Sequence, residues 1–236
     1  MKDNRLMMSD CKDIVKALQN TSSRKYLDNL PRFAIDHEGA LGVPVPEIRK
    51  IARAVPSGKA IALELWETGI HEAMILATMV FPSRDLTFQE AGKMVEDIKS
   101  WDICDHFTGN LVANSPIAVR AITSWCSQEG EFVRRAAFST IAQLEHKKAY
   151  AGENLELFLH SIKDAARDPR NFVKKAVLWA LVEIGKSSIE NNSLAIEASK
   201  EISAMDSKPA KWIARTALKE LTSGKVIERL GKLSRQ

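Results

Sequence analysis

Cysteine is scarce: three residues, Cys11, Cys104 and Cys126, stand far apart with no Cys-x-x-Cys pair. An odd, widely spaced set excludes a disulfide framework and a structural zinc site. Nowhere do 18 apolar residues follow one another, which excludes a transmembrane helix. The opening Met1-Lys2-Asp3-Asn4-Arg5-Leu6 is polar and lacks the apolar core of a secretion signal. A reducing, cytoplasmic location is therefore expected. Gly-rich phosphate loops are missing, so no nucleotide cofactor is expected. The five histidines, His37, His71, His106, His146 and His160, show no metal-ligand spacing. No Ser/His/Asp or Cys/His constellation stands out, and neither a metal nor any other cofactor is expected. No segment alternates as a strand would. The chain reads as all-α.

What the sequence does contain is a repeat. Phe132-Val133-Arg134-Arg135-Ala136 recurs 40 residues on as Phe172-Val173-Lys174-Lys175-Ala176, and in degraded form as Trp212-Ile213-Ala214-Arg215-Thr216. Each copy continues with helical apolar spacing, through Phe138 and Ile141, Leu178 and Leu181, Leu218 and Leu221. A period near 40 with this spacing marks stacked helix pairs of the HEAT or armadillo kind, an α-α superhelix. Helices are expected over 10–29, from Pro46 through Ala52, over Lys59–Trp66, Ile70–Val80 and Phe88–Lys99. Further helices are expected near 101–113, 116–127, 130–145, 152–166, 169–185, 190–204 and 208–222. One repeat domain is expected over 1–236, with N-terminal helices in 1–100 and the clearest repeats in 101–222. The tail, 223–236, is basic and is expected to fray.

With 45% hydrophobic and 27% charged residues the composition is that of an ordinary globular protein. The net charge of +4 is modest, but it is unevenly placed. Residues 1–119 hold 14 basic and 16 acidic side chains, whereas 120–236 hold 20 and 14. The basic excess travels with the repeats. Stacking would line up Arg135, Lys175 and Arg215 on one concave surface, with Arg134 and Lys174 beside them. Such a row suits a polyanion. A solvated basic face is the alternative, with Arg135 paired to Glu131 one turn earlier.

Two further positions suggest chemistry. Trp101 and Asp105 are four residues apart and share a helix face, so an indole stands beside a carboxylate, an arrangement suited to a cation. Equally, Asp102 could cap the helix, Asp105 could complement its positive end, and Trp101 could be core. Trp179 replaces the Ser139 and Lys219 of the other copies, so the repeat itself does not require a large apolar group there.

With these residues the chain resembles the AlkD-like DNA alkylation repair family, HEAT-like DNA glycosylases, from about residue 30 to 222. The resemblance is carried by Arg32-Phe33-Ala34-Ile35, Ala40-Leu41-Gly42-Val43-Pro44-Val45-Pro46-Glu47-Ile48-Arg49, Trp101-Asp102-Ile103-Cys104-Asp105, the Phe132 segment, and Asn171 through Trp179. It implies a catalytic aspartate at Asp105, aromatic lesion contacts at Trp101, Trp179 and Tyr26, and a phosphate contact at Arg135. Val182 departs from the pattern, because the family often has arginine before the glutamate that is Glu183 here. The implied activity is hydrolysis of the N-glycosidic bond of cationic purines, of the 3-methyladenine and 7-methylguanine type, in base excision repair. Double-stranded DNA with alkylated bases is the implied partner, and the setting a bacterial-type cytoplasm in association with the nucleoid. A monomer is expected, since no exposed apolar seam is evident. Two other readings remain open: a non-catalytic binder of unusual DNA, and a protein-interaction scaffold.

Overall fold

The computed structural model describes residues 8–36, 38–144 and 150–233. The polar opening, His37 and His146 lie outside the described residues. Among those described there are helices and no strand. The chain divides into two compact units, Met1–Pro116 and Ile117–Gln236.

The N-terminal unit is built on α1 (Cys11–Asn20), α2 (Arg24–Leu27), α3 (Val45–Ala52), α4 (Lys59–Glu67), α5 (His71–Val80), α6 (Phe88–Asp97) and α7 (Trp101–Phe107). Asp10 caps α1 by accepting the Lys12 N–H at 2.8 Å, and Ile14 and Leu18 form its buried face. The single helix expected over 10–29 is two. Thr21 donates its hydroxyl back to the Ala17 carbonyl at 2.7 Å, and Ser23 caps a new helix by accepting the Tyr26 N–H at 3.3 Å. Hydroxyl side chains compete here with the helical ladder. Helix α5 is buried almost all round and packs against α3, α4 and α7, so it is the centre of this unit.

One charge inside that centre organises a loop. Glu72 is 1% exposed and accepts three backbone N–H groups, from Leu41 at 2.8 Å, Gly42 at 2.7 Å and Val43 at 3.0 Å. Gly42 has φ +79°, and a Cβ there would lie 2.7 Å from the Ser23 carbonyl and 2.8 Å from Leu27 Cβ. Only glycine allows this loop to press against α2, the helix that carries Tyr26.

The C-terminal unit comprises α8 (Ala118–Trp125), α9 (Glu131–Gln143), α10 (Gly152–Ala165), α11 (Asn171–Gly185), α12 (Ile189–Ser203), α13 (Lys208–Leu221) and α14 (Gly224–Leu233). The 40-residue copies are α9, α11 and α13, packed in sequence, with α10 beside α12. Phe132 and Phe172, first residues of two copies, meet with ring centroids 5.4 Å apart. Of the apolar positions that recur with the repeat, Phe138, Ile141, Leu181 and Leu221 are fully buried in the common core, whereas Leu178 and Leu218 are half-buried. A Cβ on Gly185 would lie 2.6 Å from Leu221 Cδ2, so glycine lets α11 and α13 close together. Within the basic tail Gly224–Leu233 form α14, in which Val226 and Leu230, four apart, bury one face.

Candidate functional site

Helix α7 carries Trp101, Asp102 and Asp105, and its surroundings fix its position. Phe107 at its end is fully buried and meets Trp66 with ring centroids 5.6 Å apart. Beyond it the chain widens into a π-helical turn, Thr108–Val112. Thr108 donates its hydroxyl to the Cys104 carbonyl at 2.9 Å, and Asn110 ties the turn to α5 through Thr78 at 2.9 Å. Single π turns are often found at functional sites, and this one begins three residues after Asp105.

Trp101 is half-buried, and its indole N–H donates to the Phe33 carbonyl at 2.9 Å. Asp105 is half-buried one turn further along. Asp102 does not cap the helix. Its Oδ2 lies 2.8 Å from His71 Nε2, and its Oδ1 accepts the Ser100 hydroxyl. Burial pushes the Asp102 carboxyl up, but the His71 and Ser100 hydrogen bonds outweigh it and hold the carboxyl below its ordinary range. For His71 burial favours the neutral ring, yet the Asp102 bond and the Asp102 and Glu72 charges raise it above its usual value. His106 goes the other way, held down by burial and by the Arg49 and His71 charges against the pull of Asp102. Tyr26 lies near the same two carboxylates, and burial followed by the Asp102 and Glu72 charges pushes its hydroxyl up.

The structure thus brings Tyr26, Trp101 and Asp105 into one unit around a His71–Asp102 pair that the sequence reading missed. His71 and Asp102 are 31 residues apart on different helices, and no local spacing signals their meeting. The trio is not a nucleophile relay, because Ser100 donates to Asp102 and not to the imidazole. Its effect is to lock α7 against α5.

The expected basic row separates into two kinds of residue. Arg135 is 5% exposed, and its Nη1 donates to the Phe172 carbonyl at 2.8 Å. From the same helix Glu131 accepts the Phe172 N–H at 3.3 Å. Arg135, expected as a phosphate contact in the basic row, is buried and joins α9 to α11. Arg134 pairs with Asp168 at 2.9 Å and donates to the Ser127 carbonyl at 2.9 Å. Asp168, also held by Arg170, is pushed up by burial but pulled down to about 2 by the two arginines. Lys174 lies over the Trp212 ring, 4.7 Å from its centroid.

Lys175 and Arg215, at equivalent repeat positions, are exposed. Trp179 is half-buried one turn after Lys175, whereas its counterpart Ser139 is fully buried and Lys219 is exposed. Lys211 and Lys219 flank Arg215 by one turn each, making an exposed strip of three cations on α13. Their i, i+4 spacing was the available signal for this strip. Charge also differs by layer. Helices α9, α11 and α13 hold eight basic and three acidic side chains, while α10 and α12 hold two and six. The repeated helices thus carry a net positive charge and α10 and α12 a net negative one.

Among the described residues no group of three or more His, Cys, Asp and Glu side chains could hold a metal ion, and no helix is long and apolar enough to cross a membrane.

Packed helices recurring at a 40-residue interval define a HEAT-like helical-repeat protein. The chain is similar to a solved structure described as "a new family of proteins related to the HEAT-like repeat DNA glycosylases with affinity for branched DNA structures". Identity is 18%, the match covers 87% of this chain and 93% of that one, and the TM-score is 0.75. A designed armadillo repeat protein is similar at 15% identity over 90% of this chain and 100% of that one, with a TM-score of 0.43. No curated protein matches significantly. The model of one family, described as DNA alkylation repair enzyme, matches residues 14–221, and the chain belongs to that family.

Proposed function

We propose that the protein is a monofunctional DNA glycosylase that releases cationic alkylated purines from duplex DNA. The observation that carries this reading is Asp105, half-buried one turn from Trp101 on a helix locked by His71–Asp102, in a chain of a DNA alkylation repair enzyme family. Alkylation at N3 or N7 gives the purine a positive charge. When its C1′–N bond breaks, the bonding pair neutralises the departing base, so no general acid is needed. Positive charge develops on the sugar as an oxocarbenium-like centre. The Asp105 carboxylate stabilises that charge and aligns the water that adds to C1′, whose proton is then lost to solvent. Trp101 and Tyr26 offer π faces to the cationic nucleotide, and Trp179 on the C-terminal unit offers its own aromatic face to DNA.

Lys175, Arg215, Lys211 and Lys219 hold phosphates without reading sequence. Arg135 has a different part in this scheme, keeping α9 and α11 together. The test is release of free 3-methyladenine or 7-methylguanine from methylated duplex, followed by chromatography. Appearance of free base with purified protein supports the reading, and its absence at saturating protein removes it. In the latter case salt-sensitive binding without base release would favour a non-catalytic binder of unusual DNA. That second reading has its own support in the similarity to proteins described as having affinity for branched DNA.

A further inference from the structure

The turn that Trp101 holds presents an aromatic ring it does not bury. Phe33 closes a 3-10 turn, Leu30–Phe33, and is 63% exposed. The turn itself is firmly placed. Leu30 and Ile35 on either side are buried, and their backbones are joined by an Ile35 N–H to Leu30 carbonyl bond of 3.2 Å. Ala34 donates its N–H to the Pro31 carbonyl at 3.0 Å and takes a left-handed φ of 55°. A residue with a Cβ adopts that conformation at a cost, so the surrounding packing imposes it. The Trp101 indole then fixes the Phe33 carbonyl. An exposed ring on a turn held this way loses little freedom on binding.

The chain leading into the turn is mostly basic, with acidic Asp36 and Glu38 following it. Arg24, Lys25 and Arg32 are exposed, and Asp28, paired with Arg24 at 2.9 Å, is the one acidic residue between positions 24 and 33. An exposed apolar ring next in sequence to the exposed cation Arg32 complements a base face bordered by phosphates.

We propose that Phe33 stacks on a nucleobase left unstacked at a break in duplex DNA, with Lys25 and Arg32 meeting the neighbouring phosphates. The inference rests on the reading above that DNA is the partner. A gap exposes a base face, whereas a continuous duplex covers each face with the next base. Phe33 therefore gives the protein a preference for interrupted over intact duplex.

Fluorescence anisotropy with the full-length protein, on a duplex with a one-nucleotide gap and on its intact counterpart, tests this. The wild-type protein is expected to favour the gapped duplex about tenfold. Phe33→Ala should bind both duplexes alike, at the wild-type affinity for intact DNA, and Phe33→Trp should keep the preference. Since Phe33 is exposed, Phe33→Ala should retain the wild-type circular dichroism spectrum and melting point. A preference that survives in Phe33→Ala, or is missing in the wild type, overturns the stacking role and leaves the glycosylase reading intact. Absence of salt-dependent binding to either duplex overturns both.

Discussion

The two units are both all-helical, yet they are assembled in different ways. The C-terminal unit is regular: one 40-residue motif is used three times, and 20 basic residues outnumber 14 acidic ones. The N-terminal unit has no such period, carries more acid than base, and holds the irregular features. These are a buried carboxylate clamping a loop, a left-handed alanine, a π turn and a histidine–aspartate pair. Repetition suits a surface that must hold a uniform polyanion, because equal spacing places equal charges. Irregularity suits chemistry, because a few groups must be held against their own preferences. Under the proposed function, one unit grips while the other reacts.

The largest expected effect of breaking this comparison comes from Glu72. Glu72→Ala removes the acceptor of three buried N–H groups and should cost the N-terminal unit about 3 kcal/mol. Amide hydrogen exchange should speed up in the Leu41–Val43 loop and α2 while α11 and α13 keep wild-type protection. Uniform loss of protection would show that the loop clamp is not local.

Within the C-terminal unit, Arg135 and Arg215 occupy equivalent repeat positions and should behave oppositely. Arg135→Ala should lower unfolding stability by about 2 kcal/mol, since it deletes a buried side chain and its bond to Phe172, while leaving the salt dependence of DNA binding unchanged. Arg215→Ala should unfold like the wild type and reduce the slope of log K against log salt by about one unit. Equal slopes in the two variants would erase the distinction between joining and gripping residues.

The smallest effect should be the pH dependence of His71. Its folded pKa is raised above the ordinary 6.5, so its pairing with Asp102 stabilises fully below that value and the contribution is lost as pH rises through the raised pKa. Asp102, lowered from 3.8, contributes above that value and loses it as pH falls through its lowered pKa. Half-buried His106 opposes the His71 slope, because its folded pKa is depressed. The wild-type minus His71→Gln difference in thermal stability isolates the pair. It should be greatest between about pH 4 and 6.5 and shrink on the alkaline side. A difference that grows above pH 8 would contradict the assignment.

Much of this architecture was legible in residue order. The repeat predicted the register of α9, α11 and α13, because a core position must recur whenever its helix recurs. Trp101 and Asp105 were identifiable because four residues make one turn. Less legible was whatever depends on meetings between distant segments. Glu72 looks like any helix-start glutamate until the Leu41–Val43 loop folds onto it, and Asp102 looks like a cap until His71 arrives. Arg135 matches Lys175 and Arg215 in sequence, but only Arg135 is buried with its guanidinium bonded to the next copy's backbone. Charge type is written in the sequence; where the charge is spent is decided by packing.

The most direct measurement compares wild-type protein with Asp105→Asn on one methylated duplex, following base release and DNA affinity in the same samples. Base release should fall at least a hundredfold in the variant with affinity within about twofold of the wild type, as expected when only transition-state charge stabilisation is removed. Equal release by the two proteins would contradict a catalytic role for Asp105.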